Sequence, residues 1–420
     1  MTSPVWHPFT QHGLGQPIVP IARAEGAWLE TASGERLLDA ISSWWVVTHG
    51  HRHRAIVDAI KAQADALDQV IFAGFTHEPA ERLARELIGV APAGLAHVFY
   101  SDSGSTAVEV GLKMALGYWR NIGEARTRVL ALEHAYHGDT VGTMSAGARG
   151  VFTSSYEPLL FDVGRVPFPH VGAEQVALDA LEAALKAEPV AALIVEPLIL
   201  GAGGMLVYPA WVLAEMARLC AAHGALFIAD EVMTGWGRTG TLFACEQAGI
   251  TPDILCTAKG LTGGVMPLAA TLCVPRIFEA HVSSDRARMF FHSSSYTANP
   301  IACSAARANL AVWRDEPVAE RVAALCEMQA AELARFGGDE RFGSVRQCGT
   351  IGALDLKVGA GGYMAEVGPA LSAFFIERKV LLRPLGNTIY VMPPYCITGD
   401  ELSTVYDAIR DAADRFGRSA

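Results

Sequence analysis

Five short apolar runs, "HVFYSD", "RVLALEHAY", "AALIVEP", "ALFIADE" and "DILCTAK", fall between residues 97 and 259, interleaved with stretches that repeat apolar residues at helical spacing. Each run is too short for a packed helix and too uniformly apolar for a strand with one wet face, so strands buried on both faces are expected. The helical stretches include "HRAIVDAIKAQADAL", "EPAERLARELIGV" and "STAVEVGLKMALGYW", in which Val108, Leu112, Ala115 and Trp119 share one face. Such alternation predicts the α/β class, with a mostly parallel sheet covered by helices on both faces.

Outside this core the texture differs. "GAWLETASGERLLDAISSWW" predicts two short strands turning at Ser33 and Gly34 and ending in the pair Trp44 and Trp45. Beyond about residue 310 come a long charged helix from Pro317, strands around "GTIGALDLKV", a loop "GAGGY", a closing strand "NTIYVMPPY" and a helix from Asp400. We therefore expect a large domain over 50–310 and a smaller α/β domain built from both termini, 1–49 and 311–420.

A chain of 420 residues, 51% apolar and 18% charged, can bury a core large enough for two lobes. Its formal charge of −11, with no basic run, argues against nucleic acid or an anionic membrane as a partner and favours small-molecule ligands. The eight cysteines are scattered without a CxxC pair, which suits reduced thiols in the cytoplasm and no metal site. The opening "MTSPVWHPFTQHG" has no signal-peptide pattern and no apolar run is long enough to span a membrane, so a cytoplasmic location is expected.

In open α/β sheets ligands lie beyond the carboxyl ends of the strands, so the residues just past each run matter most. After "HVFYSD" the chain passes through Ser-Asp-Ser-Gly-Ser into a helix. Thr106 and Glu109 have the spacing of a capping box, and the free N–H groups with the Ser105 hydroxyl could cradle a phosphate. Tyr136 and His137 come at the end of "RVLALEHAY", where a ring could stack on a flat cofactor or simply pack in the core. Asp230 and Glu231 end a buried run, so each needs a partner to offset desolvation, either a structural arginine or a cationic ring nitrogen. Lys259, hemmed by small residues after "DILCTA", could have its amine made nucleophilic by desolvation, or could be a snorkelling or capping lysine. Gly235, Gly237 and Gly240 spell G-x-G-x-x-G, but they neither follow a strand directly nor precede a suitably placed acid. Together, a phosphate cradle, a stacking ring, a buried acid and a downstream lysine are what pyridoxal 5′-phosphate requires.

The motifs "DSGSTAVEVGLKMALGYW", "YHGDT", "IVEPLILGAGGM", "DEVMTGWGRTGTLFACE", "DILCTAKGLTGG" and "YTANPIAC", in this order over nearly the whole chain, resemble those of the class III aminotransferases of the type I pyridoxal-phosphate fold. That resemblance implies a seven-stranded sheet in the large domain and Lys259 as the residue bonded to the cofactor's aldehyde. It also implies that Asp230 pairs with the pyridine nitrogen, Tyr136 stacks on the ring, and Gly104 and Ser105 bind the phosphate. Ser294 and Ser295 would reach the phosphate of a neighbouring subunit in a homodimer with shared active sites. Trp44, Trp45, Ser293 and Arg383 would bind substrate, beside Tyr136 and Lys259.

A narrower likeness, carried by "HPFT", "SSWW" and "LLRPLGNTIYVMPPY", is to members that take the amino group of S-adenosylmethionine and give it to 8-amino-7-oxononanoate, in biotin synthesis. Two positions depart from the pattern. Phe9 stands where a tyrosine is frequent, and Ser293–Ser295 replace a glycine-proline-threonine run. The implied reaction is a two-stage transamination in which Lys259, displaced by the donor amine, moves the proton. Alternatives are transamination of another ω-amino acid or amine, lysine as donor, or a nicotinamide-dependent oxidoreductase resting on the three glycines.

Overall fold

The computed structural model describes residues 3–15, 18–359 and 361–417. Seven strands form the central sheet, in the order His97–Ser101, Ala269–Cys273, Ile254–Thr257, Leu226–Asp230, Val190–Val195, Arg128–Leu132 and Gly164–Val166. The four from Ile254–Thr257 to Arg128–Leu132, with the edge strand Gly164–Val166, pair in parallel. Ala269–Cys273 runs antiparallel to both its neighbours, so His97–Ser101 points the same way as the parallel set. The expected seven-stranded, mostly parallel sheet is therefore present.

All five apolar runs became strands of this sheet. In the central strands Val190–Val195, Leu226–Asp230 and Ile254–Thr257 every residue is buried, as runs without a polar face require. The sequence reading missed Gly164–Val166, three residues long, and Ala269–Cys273, in which Thr271 is the single β-branched residue.

The helix Gly104–Ile122 buries Ala107, Val108, Val110 and Ala115 against one sheet face. It lies so close that a Cβ on Gly111 would stand 3.0 Å from Cys256 Sγ. Helices Glu174–Ala187 and Ala210–Ala222 cover the other face through Leu181, Val212 and Met216. The predicted capping box is one turn out of place. Gly104 is already helical, so the N-cap is Ser103, whose hydroxyl accepts from Thr106 N, while Thr106 answers from the third position. Glu109 turns away and accepts from Gly142 N at 2.8 Å.

The two ends of the chain meet in one sheet, where Ile21–Glu25, Trp28–Thr31 and Arg36–Asp39 are completed by Val380–Leu381. Trp28–Thr31 and Arg36–Asp39 are the expected hairpin, and Ile21–Glu25 adds a third strand that was not foreseen. A second small sheet joins Phe342–Cys348, Ile351–Leu356 and Thr388–Val391, backed by helices Val318–Ala334 and Gly399–Phe416. The "GAGGY" loop includes Ala360, which lies outside the described residues.

Candidate active site

Because the parallel strands share a direction, the residues just past their carboxyl ends converge at one edge of the sheet. A cavity of about 390 Å³ opens there, lined by Ser103–Ser105 after the first strand, Tyr136 and His137 after the second, and Glu196, Asp230 and Lys259 after the next three. Of the residues expected from the sequence, Gly104, Ser105, Tyr136, Asp230, Lys259 and Trp45 all line this one cavity.

The end of the cavity beside Ser103–Ser105 is shaped by glycine. Gly138 has φ +131°, and a Cβ there would fall 2.1 Å from Ser105 Oγ; one on Gly104 would fall 2.5 Å from Val232 Cγ1. Among the described residues neither Gly104 N–H nor Ser105 N–H donates a hydrogen bond inside the protein. These are free donors at the start of a helix of 19 residues, the geometry that attracts an anion.

Deeper in the cavity three charged or chargeable groups face one another. Asp230 is almost fully buried; one carboxylate oxygen pairs with His137 Nδ1 at 2.7 Å and the other accepts from Val232 N at 3.2 Å. Glu196 accepts from Tyr136 N at 3.0 Å and from Gly201 N at 2.9 Å, which ties the loop carrying Tyr136 to the neighbouring strand end. Burial, reinforced by the charge of Asp230, raises the Glu196 carboxyl to about 7, against the pull of His137 and the two N–H donors. The Tyr136 phenol is pushed well above its usual range by burial and by Asp139.

Lys259 begins a tight turn, Lys259–Thr262, and takes φ +44°, a strained conformation for a residue with a long side chain. Desolvation lowers its amine from the ordinary lysine range; Asp230 and Glu196 oppose this and the buried Arg238 adds to it. The amine stands 5.3 Å from the centre of the Trp45 ring. Desolvation there favours the neutral, nucleophilic form of the amine, beside an acid suited to a cationic ring nitrogen. This donor set fits pyridoxal 5′-phosphate, because free helix N–H groups and a hydroxyl could take a phosphate while the acid and amine could take a ring nitrogen and an aldehyde.

A second hollow of about 120 Å³ shares Lys259, Trp45 and Tyr136 with the first and adds Phe9, Trp44, Phe152, Tyr363, Arg383 and Tyr390. Here the tryptophan pair divides its duties. Trp45 is buried and donates Nε1–H to the Tyr390 hydroxyl at 2.9 Å, whereas Trp44 is exposed and carries the Arg383 guanidinium 5.1 Å above its ring. Their turn, Ser42–Trp45, has positive φ at Ser42, Ser43 and Trp45, none of them glycine. It is held by the fully buried Asp39, which accepts from Ile41 N and Ser43 N and pairs with His51 Nε2 at 2.8 Å. Strain of this kind persists only where surrounding contacts over-determine it.

The serine run lies elsewhere. Ser293, Ser294 and Ser295 line a separate hollow with Gln69, Phe72 and Phe99, and are not brought together with Lys259 within one chain. Nor do Gly235, Gly237 and Gly240 form a dinucleotide cradle. They lie in a run of turns: a Cβ on Gly237 would meet Trp313 and the Tyr395 hydroxyl within 3.0 Å, one on Gly235 would meet Glu231 O at 2.9 Å, and Gly240 takes φ +103°. Sequence reasoning missed Glu196, Asp39, Phe152 and Tyr363. Of these only Glu196 carried a signal, as an acid closing the apolar run "AALIVEP".

Among the described residues no helix is long and apolar enough to cross a membrane. The family model described as Aminotransferase class-III matches residues 9–413. The adenosylmethionine-8-amino-7-oxononanoate aminotransferase of Synechococcus elongatus is 46% identical over 98% of this chain and 99% of its own. The enzyme of the same name from Methanocaldococcus jannaschii, in its crystal structure, superposes with a TM-score of 0.94 at 34% identity, covering 98% of this chain and 97% of that one. An amine transaminase from an uncultivated Pseudomonas species, solved in its PLP-bound form, reaches 0.93 at 34% identity, over 99% of this chain and 100% of its own.

Proposed function

We propose, for a chain that belongs to the class III aminotransferases, that it transfers the amino group of S-adenosylmethionine to 8-amino-7-oxononanoate, giving 7,8-diaminononanoate for biotin synthesis. Relatives up to 46% identical, matched along nearly their whole length, carry this donor and acceptor in their names. The observation that carries the reading is the pairing, in one aromatic hollow, of the Lys259 amine with the Arg383 guanidinium. An amine that accepts a proton and a fork that binds a carboxylate are what a transaminase of acidic substrates needs.

The family's cofactor is pyridoxal 5′-phosphate, which when bound withdraws electrons from the amine-bearing carbon of the substrate so that this carbon can release a proton. Gly104 and Ser105 would hold the phosphate, Asp230 the ring nitrogen, Tyr136 a ring face, and Lys259 the aldehyde. His137 keeps the Asp230 carboxylate oriented in the buried site. With a donor amine bound, Lys259 Nζ would accept the proton released by the amine-bearing carbon and hold it for return, and the same group would serve in reverse for the ketone. Desolvation, which favours the neutral amine, supports this role. Trp45 shields the amine from water, and Arg383 with Trp44 would anchor the remote carboxylate of the keto acid along its aliphatic chain.

Ser293, Ser294 and Ser295 we assign to the site of a second copy in a homodimer. In support, their hollow is flanked by Ile71, Phe291 and Tyr296, each more than 60% exposed in the single chain. Sedimentation should give a dimer; a fully active monomer would refute the assignment.

The donor is tested by a panel of adenosylmethionine, lysine, alanine and a simple amine against 8-amino-7-oxononanoate. Turnover with adenosylmethionine well above the rest is expected. Turnover with alanine and none with adenosylmethionine would overturn the proposal.

A further inference from the structure

The turn that carries Lys259 cannot hold its own shape. Lys259–Thr262 is a single 3-10 turn that starts from φ +44° at Lys259, and one such turn has few internal bonds to set against the strain. Its surroundings supply the rest. A Cβ on Gly260 would fall 2.6 Å from Trp236 Cβ, and one on Gly264 would fall 2.5 Å from Val46 O, so the turn is wedged between a buried indole and the segment that follows Trp45. The polar hold comes from Asn309, fully buried on the helix Pro300–Asp315. Its Nδ2 donates to Gly260 O and to Leu261 O, each at 3.1 Å, and its Oδ1 lies 2.7 Å from His49 Nε2. Turned over, that amide would set its oxygen against two carbonyls, so its orientation is fixed and His49 must donate through Nε2–H. Burial, against the hydrogen bond to Asn309, holds the His49 imidazole down to about 4, so at neutral pH it is an uncharged donor.

Resting on the assignment of Lys259 made above, we propose that Asn309, oriented by His49, is a positioning residue: it keeps Lys259 in its strained conformation and so aims Nζ, both for capture of the cofactor's aldehyde and for transfer of the proton. Gly260 and Leu261 directly follow the lysine, so tying their carbonyls fixes the peptide planes just beyond it. Neither Asn309 nor His49 lines the two hollows that contain Lys259, so each acts on the chemistry through the lysine and not by touching cofactor or substrate. Small errors in aim are costly, because a reacting group displaced by about 1 Å can lose on the order of a hundredfold in rate.

Asn309→Asp keeps the size of the side chain and an acceptor for His49 but has no N–H for the two carbonyls. In the cofactor-loaded variant, single-turnover mixing with the amino donor that wild type uses best should show the maximal rate of the cofactor's absorbance change lowered by about 10- to 100-fold, with the half-saturating donor concentration unchanged. In the cofactor-free variant, capture of pyridoxal 5′-phosphate by Lys259, followed by absorbance, should slow likewise. His49→Leu leaves both donors in place and removes the bond that orients them; it should show the same pattern at about fivefold, and it carries the test if Asn309→Asp does not fold. His49→Gln, whose amide N–H can replace Nε2–H, should recover most of that loss. A purely structural role predicts instead a lower unfolding temperature with capture and maximal rates as in wild type, and that result in a folded variant would overturn the proposal while leaving the lysine assignment intact. If borohydride does not fix the cofactor to residue 259 of the wild type, the lysine assignment falls and the role of Asn309 with it.

Discussion

Replacing Glu196 by glutamine isolates the cost of keeping a carboxyl where the site needs two N–H groups held. Burial pushes the wild-type carboxyl up to about 7 in the folded protein, against an ordinary 4.5. Because the folded value is the higher one, the unfolded chain gives up its proton first as the pH rises. The contribution of Glu196 to stability is therefore complete below pH 4.5 and falls away as the pH passes through 7. The gap between the two values corresponds to about 3 kcal/mol lost over that window, an order-of-magnitude figure. Glutamine cannot ionise, but its single carbonyl can serve only one of the N–H groups of Tyr136 and Gly201 and turns an NH2 toward the other, at roughly 1–3 kcal/mol independent of pH. Glu196→Gln should therefore be clearly less stable than wild type at pH 4.5 and equal or slightly more stable at pH 8. Urea unfolding of both proteins, stripped of cofactor, at pH 4.5, 6, 7 and 8 measures the difference, from which other titrating groups cancel. A difference that stays flat within about 1 kcal/mol across that range would refute the reasoning.

Four further outcomes are expected. Lys259→Arg should abolish turnover, and borohydride should no longer fix the cofactor to a peptide containing residue 259; retained turnover would defeat the assignment of that lysine. Gly138→Ala drives a methyl into Ser105 Oγ at an unfavourable φ, so absorbance titration should show cofactor affinity weakened by about tenfold or more, the worth of one hydrogen bond to a charged group. Arg383→Ala should raise KM for the keto acid by roughly 10- to 100-fold with a smaller change in kcat; an unaltered KM would place the carboxylate elsewhere. Asp39→Asn weakens the hold on Ile41 N, Ser43 N and His51. Thermal unfolding should move down by an amount matching about 1–3 kcal/mol and kcat should fall as Trp45 loses its placement.

Much of the fold and site is readable in the chain because burial leaves a strong mark on sequence. Runs such as "AALIVEP" and "ALFIADE" are apolar on both faces, and such runs have few places to go except the middle of a covered sheet. The rule that ligands gather at strand carboxyl ends then places Ser105, Tyr136, Asp230 and Lys259 near one another on the strength of the sequence alone. The features that escaped were set by tertiary contact. The direction of Ala269–Cys273 depends on its neighbours, and nothing in its own periodicity distinguishes parallel from antiparallel. The cap of the helix at Gly104 fell on Ser103 because the chain entered the helical conformation one turn earlier than the Thr106–Glu109 spacing suggested. Asp39, Phe152 and Tyr363 reach the site from segments far apart in sequence, and a lone acid or ring in such a segment looks like any other. The roles of Trp44 and Arg383 came from family likeness; residue chemistry alone left core packing open for the tryptophans.

The carbonyl of Phe9 accepts a hydrogen bond from Arg383 at 3.3 Å, and its ring rests on Trp44 and Phe152. Phe9 is thus a wall of the hollow that holds Lys259 and Arg383. Purification tags and fusion partners belong on the opposite end, since cargo fastened just ahead of residue 9 would press on that wall and could be mistaken for an inhibitor in a rate measurement.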